Sequence, residues 1–395
     1  MQTKTFRAVC AILLTMSLLL ATGFAAAEKT ILLTFTGDCT IGSEERTRAK
    51  EDSFDTMAAS QGYDYFFANF RELFEADDLT VINFEGVLSD SRAQESQRKT
   101  YRFRGPTDFV KILTGSSIEA CSLANNHIGD FGKQGEDSTK KTLEENGIGW
   151  FQGFNVYVYE KDGIKIGFMA LDNITYNKGS EKLRKLISDM KAKGEVNAFV
   201  VCWHTGLEYR GNHEEGTERN ARNVIKAGAD LIIVNHPHVL QGVNLFNNRT
   251  VFYSLGNFVF GGNSKIETRK HLIDQTVTSL YTAVVQAKLV FTNEGRYMGQ
   301  QVTILPAVTT GTDPVNNYQP RRATAEEAEA VRFALQRDTA FELPPVTTDE
   351  NGMTRIEMEY QAAFDEVLVP EGEQQMTLGA PEAPAAVPTR QTKGD

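Results

Sequence analysis

Leu231-Ile232-Ile233-Val234-Asn235-His236-Pro237-His238 is the stretch on which the fold of this chain turns. An uninterrupted aliphatic and β-branched run suits a strand buried on both faces, as in a parallel sheet. Pro237 has no N–H to give to a ladder, so the strand should stop before it and the chain should turn. Two imidazoles then stand at the carboxyl end of a central strand, where open α/β sheets place their ligands. The whole chain has six histidines, and two of them are here.

The same pattern recurs outward from this strand. A helical stretch at 216–228 leads into it, and before that the apolar run 198–203 ends in His204-Thr205-Gly206-Leu207-Glu208. Towards the amino end, 30–36 reads as a first strand ending in Gly37-Asp38-Cys39. A second, 79–82, delivers Asn83-Phe84-Glu85-Gly86, and 118–123 leads to Ala124-Asn125-Asn126-His127. Helical spacing over 64–76 puts Tyr65, Phe66, Phe70, Leu73 and Phe74 on one face. Thr107 is placed as the cap of a short helix through Leu113, and longer helices are predicted at 132–146 and 181–193. Lys161-Asp162-Gly163 reads as the turn of a hairpin joining 156–159 to 164–171. Downstream, 251–258 reads as one strand breaking at Gly256-Asn257, and 279–292 with 297–305 as antiparallel strands. A helix at 324–336 opens with a Thr324-x-x-Glu327 capping box.

Strands alternating with helices predict an α/β fold with a parallel centre, the later β-rich half forming a second, mixed sheet packed against it. Four divisions follow: a leader at 1–27, a main domain at 28–310, a helical and irregular extension at 311–365, and a tail at 366–395. The tail has too few large apolar groups to order itself. In the leader, Lys4 and Arg7 precede an apolar run at 8–20 and then Ala25-Ala26-Ala27, the pattern of a cleaved secretory signal. The expectation is export to the cell envelope or beyond, with an uncleaved membrane anchor as the alternative. Without the leader, 39 basic and 52 acidic residues remain, a net charge of −13. So acidic a chain lacks the basic surface that nucleic acid requires. Cys39, Cys121 and Cys202, odd in number and without CxxC spacing, read as small buried thiols.

Five apolar runs thus end in groups able to hold a metal or move a proton: Asp38; Asn83 and Glu85; Asn125 to His127; His204; His236 with His238. Singly each is ordinary, since Gly-Asp is often only a turn and a lone histidine often structural. Together they gain weight, because strand ends in a parallel sheet converge on one edge. Imidazole with carboxylate favours a divalent transition ion such as Mn, Zn or Fe, whereas Mg or Ca draws on oxygen ligands. Asp38, Asn126, His204, His236 and His238 are the candidate ligands. The full set exceeds what one zinc takes from protein, so two ions are expected to be accommodated; such a pair clamps the attacking and leaving oxygens of a phosphoester. His127 and Glu85 are the candidate catalytic groups, His127 as proton donor to a leaving group. Asn83, Asn125, Glu208 and Asn257 are candidate substrate contacts. No GxSxG, GxxxxGK or HExxH motif offers another chemistry. His213-Glu214-Glu215 and His271 read as solvated surface, Trp203 as packing, and Asp172-Asn173 as a further edge position.

Gly37-Asp38, Asn83-Phe84-Glu85, Ser122-Leu123-Ala124-Asn125-Asn126-His127, His204-Thr205-Gly206-Leu207-Glu208, His236-Pro237-His238-Val239 and Tyr253-Ser254-Leu255-Gly256-Asn257-Phe258 stand in the order seen in CapA/PgsA-type capsule synthesis (poly-γ-glutamate biosynthesis) proteins. The chain resembles that family over about 30–310. The resemblance implies a calcineurin-like metallophosphoesterase fold, a four-layer α/β/β/α sandwich of two mixed sheets flanked by helices. It implies Asp38 as the Gly-Asp metal ligand, Asn126-His127 as ligand and acid, and His204, His236 and His238 as later ligands. The Asp-x-His that opens the phosphoesterase pattern is absent, Glu85 has no clean counterpart, and Val234 stands where relatives commonly have glycine. It further implies an anionic polymer, poly-γ-glutamate, or a phosphoester as substrate and a membrane amide ligase as partner. The competing expectation is a non-catalytic subunit that binds polymer, with Arg98-Lys99-Thr100-Tyr101-Arg102-Phe103-Arg104 as a basic patch.

Overall fold

A computed structural model describes residues 28–266, 270–272 and 275–363, without the side chains between 267 and 277. The expected leader, the 366–395 tail and the His271 side chain lie outside the described residues. No described helix is long and apolar enough to cross a membrane.

Two mixed sheets face each other. In the first, β1 (Lys29–Thr40), β2 (Leu79–Phe84), β3 (Ala120–Ser122) and β4 (Gly149–Phe151) lie side by side and parallel. The middle of the chain builds the second sheet from β5 (Tyr157–Lys161), β6 (Ile164–Asp172), β7 (Ala198–His204), β8 (Leu231–Asn235), β9 (Val243–Phe246) and β10 (Arg249–Phe252). Its order is β9-β10-β8-β7-β6-β5, with the inner four parallel and the two edges antiparallel. The chain then returns to the first sheet. β11 (Asn257–Phe260) pairs parallel to the end of β1, and β12 (Tyr281–Phe291) runs antiparallel along β1, followed by β13 (Tyr297–Val308).

This corrects the expected division into an early parallel sheet and a later mixed one. The two ends of the chain share one sheet because β1 offers an edge on each side. Short strands at Arg321–Arg322, Thr354–Glu357 and Gln361–Ala362 also pair with β13, so part of the extension belongs to the same sheet. The stretch 251–258 is not one strand either. It leaves the second sheet after Phe252 and enters the first at Asn257. The crossing is close: Asp38 N–H donates to the Gly256 carbonyl at 2.8 Å, and a Cβ on residue 37 would lie 2.2 Å from that oxygen. Gly37 is required there.

Side-chain alternation along the strands sets the layers. Ile31, Leu33 and Phe35 of β1, with Ala198, Val200, Cys202, Leu231 and Ile233 of β7 and β8, fill the core between the sheets. Phe199, Val201, Trp203, Ile232 and Val234 point the other way. They pack on α5 (Asn173–Ala192) and α6 (Glu215–Lys226) through Leu183, Ile187, Ala221 and Val224. On the outer face of the first sheet, Cys39, Ile82 and Phe84 meet α1 (Phe54–Gln61), α2 (Arg71–Glu75), α3 (Val110–Thr114) and α4 (Gly132–Glu145). The result is a four-layer α/β/β/α sandwich. α7 (Ala325–Gln336) carries the expected capping box between Thr324 and Glu327.

Some local readings fail because tertiary packing overrides periodicity. The single helix over 64–76 is a 3-10 turn at Tyr63–Tyr65, further turns, and the short α2. Phe66 and its neighbour Phe67 are both buried, Phe67 against Phe74 and Phe258, which one helix face cannot arrange. Thr107 is not a cap; its N–H and hydroxyl bind Asp90. α5 starts at Asn173 rather than 181, capped by Asp172, with non-helical geometry at Gly179. His213 is not solvated: its ring stacks on Tyr253 at 3.7 Å and contacts Asp338 and Glu218.

Candidate metal centre

Register decides which polar ends meet. Asp38 lies opposite Asn83 on β2 and opposite Asn257 on β11. His204 follows Ala198, Val200 and Cys202 in the alternation that faces the first sheet, so the imidazole belongs between the sheets. Beyond β8 the two histidines make the turn themselves, with φ of +105° at His236 and +59° at His238. Such backbone is costly for residues with a Cβ and concentrates at functional sites. Val234 stays buried within β8, so the turn falls after it. The His236 N–H donates to Asp38 Oδ2 at 3.2 Å, tying the turn of one sheet to the strand end of the other.

Glu85 is at the middle. Its side chain is fully buried, and neither carboxylate oxygen has a hydrogen-bond partner among the described residues. Yet Oε1 lies 3.7 Å from His127 Nε2 and 4.0 Å from both His204 Nε2 and His238 Nε2. Asn83 Oδ1 and His236 Nδ1 are likewise buried without partners. Buried polar groups are ordinarily hydrogen-bonded, and at these strand ends the unpaired atoms of Asn83, Glu85 and His236 stand as ligands for a cation would. Asp38, Glu85 and His238 can offer one ligand atom each within 4.8 Å of one another, and so can Glu208, His236 and His238. His204 Nε2 and Asn126 Oδ1 also turn towards each other at 2.9 Å.

Over residues 32–262 the chain matches the family model described as bacterial capsule synthesis protein PGA_cap. The chain belongs to that family. Among its curated relatives, the capsule biosynthesis protein CapA of Bacillus anthracis is 28% identical over 223 residues, 50% of this chain and 54% of that protein. The PGA biosynthesis protein CapA of Bacillus subtilis (strain 168) is 28% identical over 258 residues, 55% of this chain and 67% of that protein. The chain thus spans about half to two thirds of the length of these relatives. A candidate 5'-nucleotidase of Staphylococcus aureus is similar in structure with a TM-score of 0.40 and 14% identity, over 82% of this chain and 57% of that one.

Within the family domain, groups around the centre orient those inside it. His127 Nδ1 pairs with Asp130 Oδ2 at 2.8 Å, which leaves Nε2 facing Glu85. Asp130 is fully buried; it also accepts from the Phe103 N–H and pairs with Lys99 at 2.6 Å. The Phe103 ring lies against His127, centroids 4.4 Å apart. Asp130 is absent from the candidates above, although a carboxylate three residues after a histidine was a signal available in the sequence. Asn257 and Asn125, expected as substrate contacts, have other work. Asn257 Oδ1 accepts from His238 Nδ1 at 2.8 Å and so points Nε2 towards Glu85. Asn125 donates to the Phe84 carbonyl and accepts from His127 and Ile128 N–H groups, fixing the turn. Asn83 Nδ2 donates to Asp38 Oδ1 at 2.8 Å. Asp172 caps α5, while Asn173 accepts from the Thr205 hydroxyl just after His204. The basic run 98–104 is not a free patch: Lys99, Arg102 and Arg104 pair with Asp130, Glu95 and Glu45. A cavity of about 770 Å³ opens beside the centre, with Tyr101, Phe103, Glu208, Tyr209 and Lys265 in its wall.

Burial pushes the Glu85 carboxyl up to about 8, with Asp38 and Glu208 adding to the rise and His238 opposing it. Burial pulls His238 down, but Glu85 and Asp38 outweigh it and lift the imidazole to about 9. Burial and the neighbouring imidazoles hold His204 well below, and His236 below, the ordinary range. The two raised groups bind protons more tightly in the folded than in the unfolded chain. Their contribution is therefore complete below the unfolded values of 4.5 and 6.5 and is lost as pH rises to about 8 and about 9. A divalent ion competes with those same protons. We expect the rise in melting temperature given by Mn²⁺ to grow steadily from pH 6.5 to pH 9. Thermal melts with and without the ion check this, and a gain that is flat or falls with pH contradicts it.

Proposed function

We propose that this protein is an exported, metal-dependent hydrolase that acts in capsule or poly-γ-glutamate production. The reading rests chiefly on the buried, partnerless Glu85 carboxylate facing three imidazoles. Asp38, Glu85, Asn126, His204, His236 and His238 would hold divalent transition metal, one ion or two. The donor set of carboxylate, carboxamide and imidazole suits Mn, Zn or Fe. A bound ion would polarise the scissile linkage and acidify an attacking water. His127, held by Asp130, presents Nε2 for proton transfer to the leaving group. The substrate class is an envelope phosphoester or the γ-glutamyl amide of the polymer, which would enter by the cavity of about 770 Å³ beside the centre. The N-terminal pattern of Lys4, Arg7 and the apolar run supports export, and a membrane amide ligase is the proposed partner.

Elemental analysis of purified protein, joined to a screen with a phosphodiester and a γ-glutamyl substrate, tests the reading. Bound transition metal and turnover lost in His236→Ala are expected. A metal-free protein whose melting curve ignores both chelator and added metal would overturn it.

A further inference from the structure

Carboxylates gather where the cavity meets the centre. His127 and His238, which line the cavity, face the buried Glu85, and Glu208 stands exposed in the same wall. Such an entrance repels an anionic chain unless a cation offsets it. The basic run 98–104 does not, because Lys99, Arg102 and Arg104 are already paired. Among the described residues lining the cavity, Lys265 is the only lysine or arginine. It is exposed and has no ion pair among the described residues. The backbone that carries it is pinned. Lys265 bridges to Val315, the Ile266 N–H donates to the Pro314 carbonyl at 2.7 Å, and the Asn316 N–H donates to the Ser264 carbonyl at 3.0 Å. The Asn316 side chain, only 2% exposed, donates to the Phe260 and Asn263 carbonyls at 3.0 and 2.8 Å. A lysine on backbone so held loses less freedom on binding than one on a free loop. Tyr101, Phe103, Phe260, Ile266 and Pro314 make much of the remaining wall apolar. One cation among apolar faces is a poor match for a chain of phosphates, which needs several. It suits a γ-glutamyl unit, which carries two methylenes and one free carboxylate.

We propose that Lys265 binds the free α-carboxylate of a γ-glutamyl unit adjoining the linkage held at the centre, so that the cavity selects a chain bearing carboxylates. The methylenes of that unit lie on the apolar wall, and the lysine fixes its register. Asn316, buried behind the segment, is the brace that holds Lys265 in the wall. The assignment rests on the reading above for the polymer and not for the metal.

The probes are a γ-linked glutamate trimer and the same trimer with its α-carboxylates converted to carboxamides. Full-length wild type, Lys265→Gln and Lys265→Arg are compared in the presence of Mn²⁺, by KM where a trimer is turned over and by calorimetric Kd where it is not. Lys265→Gln is expected to weaken the carboxylate trimer about tenfold, the usual worth of one hydrogen bond to a charged group. Where there is turnover, kcat is expected to stay within about twofold, the mark of a contact made equally in ground and transition states. Lys265→Arg keeps the cation and is expected to keep most of the affinity. The carboxamide trimer is expected to bind wild type and Lys265→Gln alike, and high salt to erase the difference between them for the carboxylate trimer. An unchanged affinity in Lys265→Gln, or an equal loss for both trimers, overturns the inference, as does a wild type that does not bind the carboxylate trimer. Metal content and phosphodiester turnover score the hydrolase reading separately. Lys265-dependent binding by a metal-free, inactive protein supports the inference and overturns that reading.

Discussion

Glu85→Gln is expected to melt higher than wild type in chelator at pH 8 and to lose the stabilisation that divalent metal gives. Glu85 is fully buried with neither oxygen hydrogen-bonded. Burial raises its carboxyl to about 8 from an ordinary 4.5. The penalty for ionising it in the fold therefore builds as pH rises from 4.5 and levels off above about 8. Glutamine keeps the shape and removes the charge. Its buried amide still lacks partners, at a smaller cost than an isolated carboxylate. The net gain for metal-free protein is of order 1–3 kcal/mol at pH 8, several degrees in melting temperature, shrinking towards pH 5. With Mn²⁺ present the order reverses, because wild type gains a ligand that glutamine cannot supply as well. Melts of both proteins at pH 5 and pH 8, chelated and loaded, decide the matter. A variant that melts lower in chelator and keeps the full metal gain would make Glu85 an ordinary structural carboxylate.

The second large effect concerns proton transfer. His127→Ala is expected to lower turnover by about 10² to 10⁴-fold while leaving metal content unchanged, the usual range for loss of a positioned general acid. The reason is positional: Nδ1 is engaged by Asp130 and Nε2 lies 3.7 Å from Glu85, at the edge of the centre. Asp130→Asn tests the same arrangement one step removed. It is expected to lower turnover less than His127→Ala, because a carboxamide orients the imidazole less firmly than a carboxylate does. Equal metal content, with activity on the phosphodiester or γ-glutamyl substrate measured in parallel, separates this from a lost ion. Undiminished turnover in His127→Ala would assign the proton to another group.

Both predictions concern residues that the sequence already placed at strand ends, and the reason is general. A strand buried on both faces must be apolar along its length, so its first polar residues mark where it ends. Runs ending in Asp38, Asn83, His204 and His236 could be read in that way, and with them the α/β class. Caps and hairpins were equally legible where the signal is local. Examples are the Thr324–Glu327 box and the turn at Asp162-Gly163, whose two residues have positive φ. Local patterning could not say which strands become neighbours. Antiparallel β12 and β13 joined the sheet of β1 rather than forming their own, and 251–258 split between sheets. Pairing is decided by which edges remain open after the core has formed. The helical stripe at 64–76 failed for a related cause, Phe67 being drawn against Phe74 and Phe258.

The sequence by itself therefore determined the class of fold, the family, and the side chains present at the edge. Only the tertiary structure decided their ranks. It set Glu85 at the centre and Asp130 behind His127. It turned Asn125 and Asn257 into supports for the histidines and brought Glu208 beside His236. The places of Glu85, Asn257 and Glu208 are relations between residues far apart in the chain, fixed by sheet register and by two histidines in left-handed backbone. Asp130 and Asn125 are near neighbours of His127, and there the packed geometry decided only what each one binds.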